Sequence, residues 1–457
     1  MDPRQLLRLV VLQALLCGAC KKGAFLDTHP DQSIAVPSTI ADCQALLDND
    51  VVMNGYGGLG YPSLGETGSD DYYVTGPQYG QYKTIDQRAV VWATDIYTDE
   101  EVNDWDLPYR TVLYANVALE GLKAIHPSPD AQAAWNNVQG SALFFRAFAY
   151  YQLAQVFSPV YDSGTAMQAL GLPLRKSTDV NEKFTRASVQ ETYDQVINDL
   201  VAASTLLPDT TRYATRPSRL AVYALLARVY LSAGAWTKAL QYAGSCLEIR
   251  PVLQDYNTLD AHNPLPFTRS NPEVIFGATY TSSGPSVAGR SLTDSVLFAS
   301  YGANDLRKAL FFESGRYFFG WYDESAYAFC GLATDEVYLT RAECFARTGD
   351  VPSAMADLNH LLETRWMSGT FVPHTAVDAA DALQQVLQER RKELLYRGLR
   401  WTDLRRLNKD TAMAITLTRT VNGTAYTLPP NDPRYVYAIP RKVLDLNPQM
   451  QQNIRIR

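Results

Sequence analysis

The chain has 457 residues, of which 46% are hydrophobic and 19% charged, as in an ordered globular protein rather than a disordered one. This length can bury a large core and can hold two or three domains. The formal net charge of −7 argues against nucleic-acid binding, which requires a basic surface. Tyrosine is abundant, with 28 residues beside 7 Trp and 16 Phe, and such flat amphipathic rings are typical of binding surfaces.

The first 19 residues have the composition of an export signal. Arg4 lies before a mostly apolar stretch over residues 6–16, and Arg8 lies within it. The small residues Gly18 and Ala19 stand directly before Cys20. This arrangement resembles a lipobox, in which the cysteine is lipidated and becomes the mature N-terminus. The sequence therefore predicts a lipoprotein signal peptide over residues 1–19 and lipidation of Cys20, with an ordinary secretory signal as the alternative. No other stretch has the length and apolar character of a membrane span, so the lipid would be the membrane anchor.

Residues 20–104 are rich in tyrosine, glycine and aspartate, which predicts a segment dominated by loops. The segment 36–50, VPSTIADCQALLDND, is the exception. There Ser38 or Thr39 can cap a short helix that has one apolar side. The glycine-rich run 54–82 follows as a predicted loop.

Residues 105–249 are predicted to be mainly helical. Apolar residues recur at helical spacing or form longer apolar runs, which indicates helices with buried faces. Ser188 and Glu191 have the spacing of a capping box at the start of one of them. The predicted helices lie over residues 105–125, 140–157 and 188–204.

Two later segments share one pattern. ARVYLSAGAWTKALQYA (227–243) and AECFARTGDVPSAMADL (342–358) place a small residue, an aromatic residue, a turn glycine and a second small residue at equal offsets. This is the pattern of a tetratricopeptide helix pair, in which alanines allow close approach and a glycine closes the turn. We therefore predict an all-α fold of about four tetratricopeptide-like helix pairs forming a curved scaffold, with a C-terminal helical-pair region and tail over 331–457.

The largest insertion into this scaffold is predicted over residues 250–330. It contains several prolines, many Ser, Gly and Asn residues, and aromatic clusters. Its hydrophobic periodicity is poor, so we expect a loop-rich, irregular subdomain packed on the helices. The aromatic residues distinguish it from a flexible linker.

The segment 389–407, ERRKELLYRGLRWTDLRRL, combines regularly spaced leucines with a high density of arginine. Together with the residues before it, the segment predicts a helix over 383–407 that only Gly398 interrupts.

The arginines of this segment have two possible roles. They could form an anion or phosphate site, or their guanidinium groups could pair with carboxylates and carbonyls of neighbouring helices. The second role is favoured, because acids alternate with the bases and no glycine-rich phosphate loop precedes them. Helical spacing predicts the pairs Glu393–Arg397 and Asp403–Arg406.

No arrangement of catalytic residues is evident. The histidines lack H-E-x-x-H spacing, and neither a G-x-S-x-G elbow nor a nucleotide-binding glycine loop occurs. Glu66, Asp70 and Asp71 form the best carboxylate cluster, and glycoside hydrolysis needs paired carboxylates. On a glycine-rich loop, however, they are more typical of solvated acids or acceptors for sugar hydroxyls, with bound Ca²⁺ as a further alternative. We therefore predict a binding protein without a cofactor and not an enzyme. The cysteines after Cys20 show no metal-like spacing, so buried free thiols are expected.

Loop aromatics with polar companions are the predicted ligand site. Sugars present C–H faces that stack on aromatic rings and hydroxyls that bond to polar side chains, and a peptide would use the same rings. For any single candidate, packing in the core or a loop is the alternative role. The candidates in the early loops are Asp70, Asp71, Tyr72, Tyr73, Tyr79, Tyr82 and Trp92. Those in the insertion are Tyr280, Tyr301, Asn304, Trp321, Tyr322 and Asp323.

Several motifs resemble the SusD/RagB family of bacterial outer-membrane lipoproteins. The order E-R-R-x-E-L-x-x-x-G-x-R-W-x-D-L-R-R, present over 389–406, is similar to a motif of that family. Further matching segments occur in the expected order, and they are FLDTHPDQSI (25–34), GSALFFRAFAYYQLAQVF (140–157) and YVYAIPRKVLDLNPQMQQN (435–453).

The resemblance implies a tetratricopeptide-like scaffold that a lipid tethers to the outer face of the outer membrane. Such a protein acts as a lid on a SusC-like, TonB-dependent transporter and captures oligosaccharide, or sometimes peptide, for import. Two other classes remain as alternatives. One is a tetratricopeptide-type adaptor that binds only protein, and the other is a secreted glycoside hydrolase.

Overall fold

The computed structural model describes residues 37–98, 102–179, 181–268, 270–285, 291–313, 316–322 and 327–456. The predicted signal peptide 1–19, the lipidation site Cys20 and the candidate ligand residue Asp323 lie outside the described residues. The chain from Ser38 to Arg457 forms one compact unit.

Short helices make up the N-terminal part of this unit. Thr39 caps the first of them, because its side chain accepts a hydrogen bond from the Asp42 N–H while the Asp42 carboxylate accepts one from the Thr39 N–H. The predicted capped helix is therefore confirmed, with Thr39 as its cap. The short helices are α1 (Ile40–Leu47), α2 (Asp50–Met53), α3 (Leu64–Gly68), α4 (Gly76–Tyr79) and α5 (Thr84–Val90).

Longer helices follow, and neighbours in sequence pack against each other. The predicted helix at 140–157 begins earlier than expected, and the predicted Ser188–Glu191 capping box is formed. The rings of Phe144, Phe145 and Phe148 are buried, so these three helical aromatics belong to the core. These helices are α6 (Asn103–Lys123), α7 (Gln132–Phe157), α8 (Val189–Leu206), α9 (Arg219–Ser232) and α10 (Trp236–Ile249).

The two predicted tetratricopeptide-like pairs are confirmed. The first is α9 with α10, and the second is formed by the helices Thr334–Thr348 and Val351–Glu363. Gly234 and Gly349 close the two turns at φ of 74° and 87°, a left-handed conformation that glycine adopts at little cost. Helix α10 packs on Thr334–Thr348, so pairs that are distant in sequence are adjacent in space.

The region between these pairs contains short strands and short helices. Strand β1 (Tyr72–Tyr73) of the N-terminal part pairs antiparallel with β3 (Leu292–Thr293) of the insertion. Strand β2 (Val274–Phe276) pairs with β6 (Leu332–Ala333). Strand β4 (Phe312–Glu313) pairs with β5 (Tyr317–Phe318). The helices here are α11 (Ser295–Ala299) and α12 (Arg307–Phe311), and the second helix pair is α13 (Thr334–Thr348) and α14 (Val351–Glu363).

The C-terminal part departs from prediction at one point. The helix predicted over 383–407 is two helices, α15 (Ala379–Glu393) and α16 (Arg400–Leu407). Tyr396 and Gly398 between them take φ of 55° and 71°, which ends the helical hydrogen-bond pattern. The chain continues through the hairpin β7 (Leu417–Val421) and β8 (Thr424–Leu428), and then through α17 (Arg441–Leu446).

This break changes the predicted ion pairs. Because α15 ends at Glu393, Arg397 does not lie one turn further on the same face, and the predicted Glu393–Arg397 pair is not among the ion pairs of the described residues. Arg397 pairs with Asp335 at 3.2 Å instead. The predicted Asp403–Arg406 pair lies within α16 and is formed at 2.8 Å.

Three of the remaining cysteines, Cys43, Cys246 and Cys344, are buried free thiols, as predicted, and Cys330 is also buried. Within the described residues, no helix has both the length and the apolar character that a membrane crossing requires.

Candidate functional site

A cleft of about 520 Å³ opens beside β1. It lies between β1, the start of α11, α15 and the first strand of the C-terminal hairpin. We name it the β1 cleft. Its lining residues are Asp70, Tyr72, Tyr73, Trp92, Asp294, Val296, Arg391, Ile415, Thr416, Leu417, Thr418, Arg419 and Thr420.

The floor of the β1 cleft is built from buried rings around one guanidinium group. The Cζ atom of Arg419 lies 4.5 Å from the ring centre of Tyr72 and 5.0 Å from that of Trp92. Arg419 also donates hydrogen bonds to the carbonyls of Ser69 and Val90. These contacts fix the rings in place, since a cation over an aromatic face is attracted by its quadrupole.

Tyr73 is half-buried and forms one wall of the cleft. The Arg316 guanidinium lies 4.9 Å from its ring centre and donates a hydrogen bond to its hydroxyl. Arg316 itself has a φ of 74°, an uncommon conformation for a residue with a side chain. Its backbone carbonyl accepts a hydrogen bond from the Thr293 N–H, which ties this wall to β3. The ring is therefore held in one orientation before any ligand binds.

The carboxylates at the inner edge are held by arginines. Asp70 accepts two hydrogen bonds from Arg400, at 2.6 and 2.9 Å, and lies 3.2 Å from Arg391. Burial alone would raise the pKa of Asp70, but these two guanidinium groups outweigh burial and hold the pKa well below its usual range. Burial raises the pKa of Asp71 to about 6, although Arg391 opposes the shift.

Glu66 lies behind this edge and is only 2% exposed. Burial, together with the neighbouring Asp71 carboxylate, raises the pKa of Glu66 to about 8. Its two oxygens accept hydrogen bonds from the Ser69 hydroxyl and the Gly398 N–H. Glu66 therefore connects the early loop to the turn between α15 and α16.

The outer rim of the β1 cleft is exposed and chemically mixed. Thr416, Thr418 and Thr420 are exposed and lie on or beside β7, and Val296 and Ile415 add apolar surface. The cleft thus presents one accessible aromatic ring, hydroxyls, carboxylates and the Arg391 guanidinium group.

Comparison with known proteins identifies the family. A family model described as "starch-binding associating with outer membrane" matches residues 24–231. A second model, that of the SusD family, matches residues 334–455. The chain belongs to the SusD/RagB family. The insertion lies between the two matched ranges, and it supplies Asp294, Val296 and Arg316 to the cleft and its wall.

One curated relative is the SusD-like protein P2 of Formosa agariphila, which is 29% identical over 139 residues. That match covers 30% of this chain and spans only 25% of the relative's length.

Solved structures share the SusD fold over almost the whole chain. A putative sugar binding protein of Bacteroides vulgatus superposes with a TM-score of 0.73 at 20% identity, covering 92% of this chain and 99% of that one. A SusD superfamily protein of Bacteroides thetaiotaomicron gives 0.72 at 21% identity, with coverages of 91% and 99%. These likenesses establish the fold, which is the tetratricopeptide-like helical architecture predicted from the sequence.

Four of the predicted ligand residues of this SusD family member meet in the β1 cleft: Asp70, Tyr72, Tyr73 and Trp92. Among these four, Tyr72 and Trp92 are almost fully buried in the floor, so Tyr73 is the ring with an accessible side. Asp71 is 1% exposed and contributes through its ion pair with Arg391. Tyr79 is half-buried and does not line the cleft, and its hydroxyl donates to the Gln87 carbonyl.

Other predicted aromatic residues lie in the core, and for these the packing alternative is correct. The Tyr280 hydroxyl donates to the Tyr396 carbonyl and the Tyr301 hydroxyl donates to the Lys392 carbonyl. Buried tyrosines need such partners, so the polar end of each ring is already used. Asn304 is half-buried outside the cleft, and its carbonyl accepts from the Met367 N–H. The buried rings are Tyr82, Tyr280, Tyr301, Trp321 and Tyr322.

Sequence reasoning missed the threonine rim and Arg316. A signal for the rim was present, since L-T-R-T-V alternates apolar and polar residues and Asn422–Gly423 follows it directly. Asn-Gly between alternating runs is a strong hairpin signal, and both residues take positive φ here, 49° and 80°. No comparable local signal brings Arg316 to Tyr73.

Among the described residues, one carboxylate cluster has metal-like spacing: Glu273, Asp335 and Glu393. All three are buried. Arg365 lies 2.8 Å from Glu273 and 2.7 Å from Glu393, and Arg397 pairs with Asp335. The guanidinium groups supply the positive charge that a cation would otherwise bring.

Proposed function

We propose that this SusD family member is a lipid-anchored protein of the outer-membrane surface that binds glycan in the β1 cleft and passes it to a TonB-dependent, SusC-like transporter. The observation that carries the proposal is the composition of the cleft, which combines one accessible tyrosine ring, held in place, with exposed threonine hydroxyls. The family description as starch-binding and outer-membrane-associating supports the same conclusion.

The chemistry of the cleft suits a sugar. The C–H face of a pyranose packs on an aromatic ring, and Tyr73 offers such a ring while Arg316 restrains it. Sugar hydroxyls need donors and acceptors at the rim, and Thr416, Thr418 and Asp294 provide them. The volume of about 520 Å³ is in the range of small-molecule sites.

We infer binding without hydrolysis, and the state of the Asp70 and Glu66 carboxylates supports this inference. A glycosidase needs two carboxyl groups that flank the scissile bond, one of them as a proton donor. Asp70 is held ionised by two arginines, and Glu66 is 2% exposed. Glu66 does not line the cleft, so Glu66 and Asp70 cannot flank a glycosidic bond in it. No cofactor enters this proposal.

The predicted lipid anchor would keep the binding protein close to its transporter. A lidded transporter spends little time open, so a receptor tethered at its mouth raises the local concentration of ligand. Lipidation of Cys20 would provide that tether, and the transporter would recover the ligand when the lid closes.

Changing Tyr73 to alanine tests the binding site. We expect the affinity for a glycan selected on a carbohydrate array to fall by about tenfold or more, because the stacking surface is lost. Isothermal titration calorimetry measures the change. Tyr213→Ala is the matched control, since Tyr213 is 52% exposed and lies outside the cleft. Unchanged affinity in Tyr73→Ala would place the site elsewhere, and binding of peptides alone would favour the peptide alternative.

Purification from native membranes in mild detergent tests the partner and the anchor. We expect a TonB-dependent transporter in stoichiometric amount, and mass spectrometry should find a diacylated or triacylated Cys20 at the N-terminus. A chain without lipid that elutes alone would refute the lid proposal and move support to the adaptor alternative.

A further inference from the structure

We infer that the protein has a second ligand site, specific for a small organic carboxylate, in a pocket of about 310 Å³ beside the C-terminal end of α7. We name it the Arg405 pocket. It shares no lining residue with the β1 cleft, so this inference is independent of glycan binding. Its lining includes Val160, Arg405, Asn408, Pro433, Tyr435 and Ile454.

Arg405 is the central feature of this pocket. It is 3% exposed, and its two terminal nitrogens donate to the carbonyls of Gln155 and Ser158 at the end of α7. Its Nε has no hydrogen-bond partner among the described residues. Nor does Arg405 form an ion pair with any carboxylate in that part of the chain, unlike Arg390 and Arg406 of the same motif.

The positive charge of Arg405 is only partly compensated. The C-terminus of a helix carries about half a negative charge, so the carbonyls at the end of α7 balance part of the guanidinium charge. Asp432 also lines the pocket, but it is engaged by Arg434 at 2.8 and 2.9 Å. A buried charge without a counter-ion is costly, and a bound anion would relieve that cost.

A second donor identifies the kind of anion. The Tyr435 hydroxyl is buried, and the Asn408 side chain lies close enough to bond to its oxygen, so the hydroxyl hydrogen is still without an acceptor in the described chain. Arg405 and Tyr435 thus carry unused donors in one pocket. A carboxylate has two oxygens with about four lone-pair sites and can accept from both, whereas water would satisfy the donors without balancing the charge.

The walls indicate what the carboxylate is attached to. Val160, Pro433, Val436 and Ile454 give the pocket an apolar lining. An apolar body can leave water against these walls while its carboxylate meets the donors. The ligand class is therefore a short-chain or aromatic carboxylic acid, not a free inorganic anion.

Titration calorimetry with three probes tests this inference. The lipidated protein in lipid nanodiscs is titrated with sodium hexanoate, sodium acetate and hexanol, with empty nanodiscs as blank. We expect saturable binding of hexanoate, binding of acetate weaker by about tenfold or more because the apolar contacts are missing, and no saturable binding of hexanol. Absence of saturable hexanoate binding, or equal binding of hexanol, would overturn the inference.

Matched variants locate the site. Ile454 and Ile456 are 75% and 74% exposed, but only Ile454 lines the pocket. We expect Ile454→Glu to weaken hexanoate binding by about tenfold through like-charge repulsion, while Ile456→Glu leaves it unchanged. Equal effects in both variants, or no effect in Ile454→Glu, would refute the assignment. Arg405→Gln should abolish binding, and circular dichroism checks that it folds; if it does not fold, the isoleucine pair alone decides.

Discussion

Replacement of Arg307 by methionine is expected to lower the free energy of unfolding by about 3 kcal/mol or more. Arg307 is fully buried, and its terminal nitrogens lie 2.7 Å from Asp305, 2.7 Å from Glu389 and 2.9 Å from Glu393. Without the guanidinium group, these buried carboxylates lose their main counter-ion and three hydrogen-bonding donors. An unpaired buried charge is one of the large penalties that a single substitution can create.

Neighbouring cations limit how much stability the Arg307→Met variant loses. Lys392 also contacts Asp305 at 3.0 Å and Glu389 at 2.9 Å, and Arg365 contacts Glu393 at 2.7 Å. Each carboxylate therefore keeps one partner in the variant, which places the loss near the lower end of the range for broken buried pairs, about 3–5 kcal/mol.

Urea denaturation at pH 7 measures the effect. Lys123→Met is the control, because the Lys123–Glu120 pair has the same short contact, 2.6 Å, but its side chains are 71% and 48% exposed. We expect this control to change stability by less than about 0.5 kcal/mol. A loss below 1 kcal/mol in Arg307→Met, on the order of a surface effect, would show that the buried network does not depend on its central cation.

The same network shows how far sequence reasoning extends. The density of arginine over 389–407 correctly indicated structural pairing with carboxylates, which every arginine of the segment except Arg405 forms. The partners could not be named, because they lie far away in the chain: Arg406 pairs with Glu343, and Arg400 with Asp70. Local signals predicted the capping box at Ser188 and the helix pairs, since these depend on residues a few positions apart.

Prediction was weakest where burial decides the role of a residue. Tyr73 and Tyr322 have similar surroundings in sequence, yet Tyr73 borders the β1 cleft, whereas the Tyr322 hydroxyl bonds to Glu273 and Asp335 in the core. Arg316 reaches Tyr73 across 243 positions of sequence. Periodicity can assign a face to a helix, but it cannot say which irregular loops meet. Of the aromatic candidates, Tyr72, Tyr73 and Trp92 line the β1 cleft, and their role in binding stays a prediction.

Replacement of Glu66 by glutamine is expected to make stability less dependent on pH. The pKa of Glu66 is raised from 4.5 to about 8 in the folded protein, by burial first and by the neighbouring Asp71 second. Below pH 4.5 both the folded and the unfolded states hold the proton. Between pH 4.5 and 8 only the folded state holds it, so rising pH favours unfolding, and above pH 8 the loss is complete.

Glutamine does not titrate at position 66, and its side chain can keep the hydrogen bonds that Glu66 forms with Ser69 and Gly398. Its oxygen accepts from the Gly398 N–H, and its nitrogen donates to the Ser69 hydroxyl in place of the present bond. The variant should therefore gain stability over the natural protein as pH rises from 5 to 9, by on the order of 3 kcal/mol. Asp71 also becomes easier to ionise in the variant, which acts in the same direction.

Urea midpoints at pH 5, 7 and 9 for both proteins measure this difference. Asp71 and Glu273, with pKa values raised to about 6 and about 7, titrate in both proteins, so the difference between the two proteins reports on Glu66 together with the accompanying change at Asp71. Glu363→Gln is the control, since Glu363 is exposed. A difference that is constant across pH would mean that Glu66 is ionised in the folded state throughout, and that the turn at Gly398 binds a charged rather than a protonated carboxyl group.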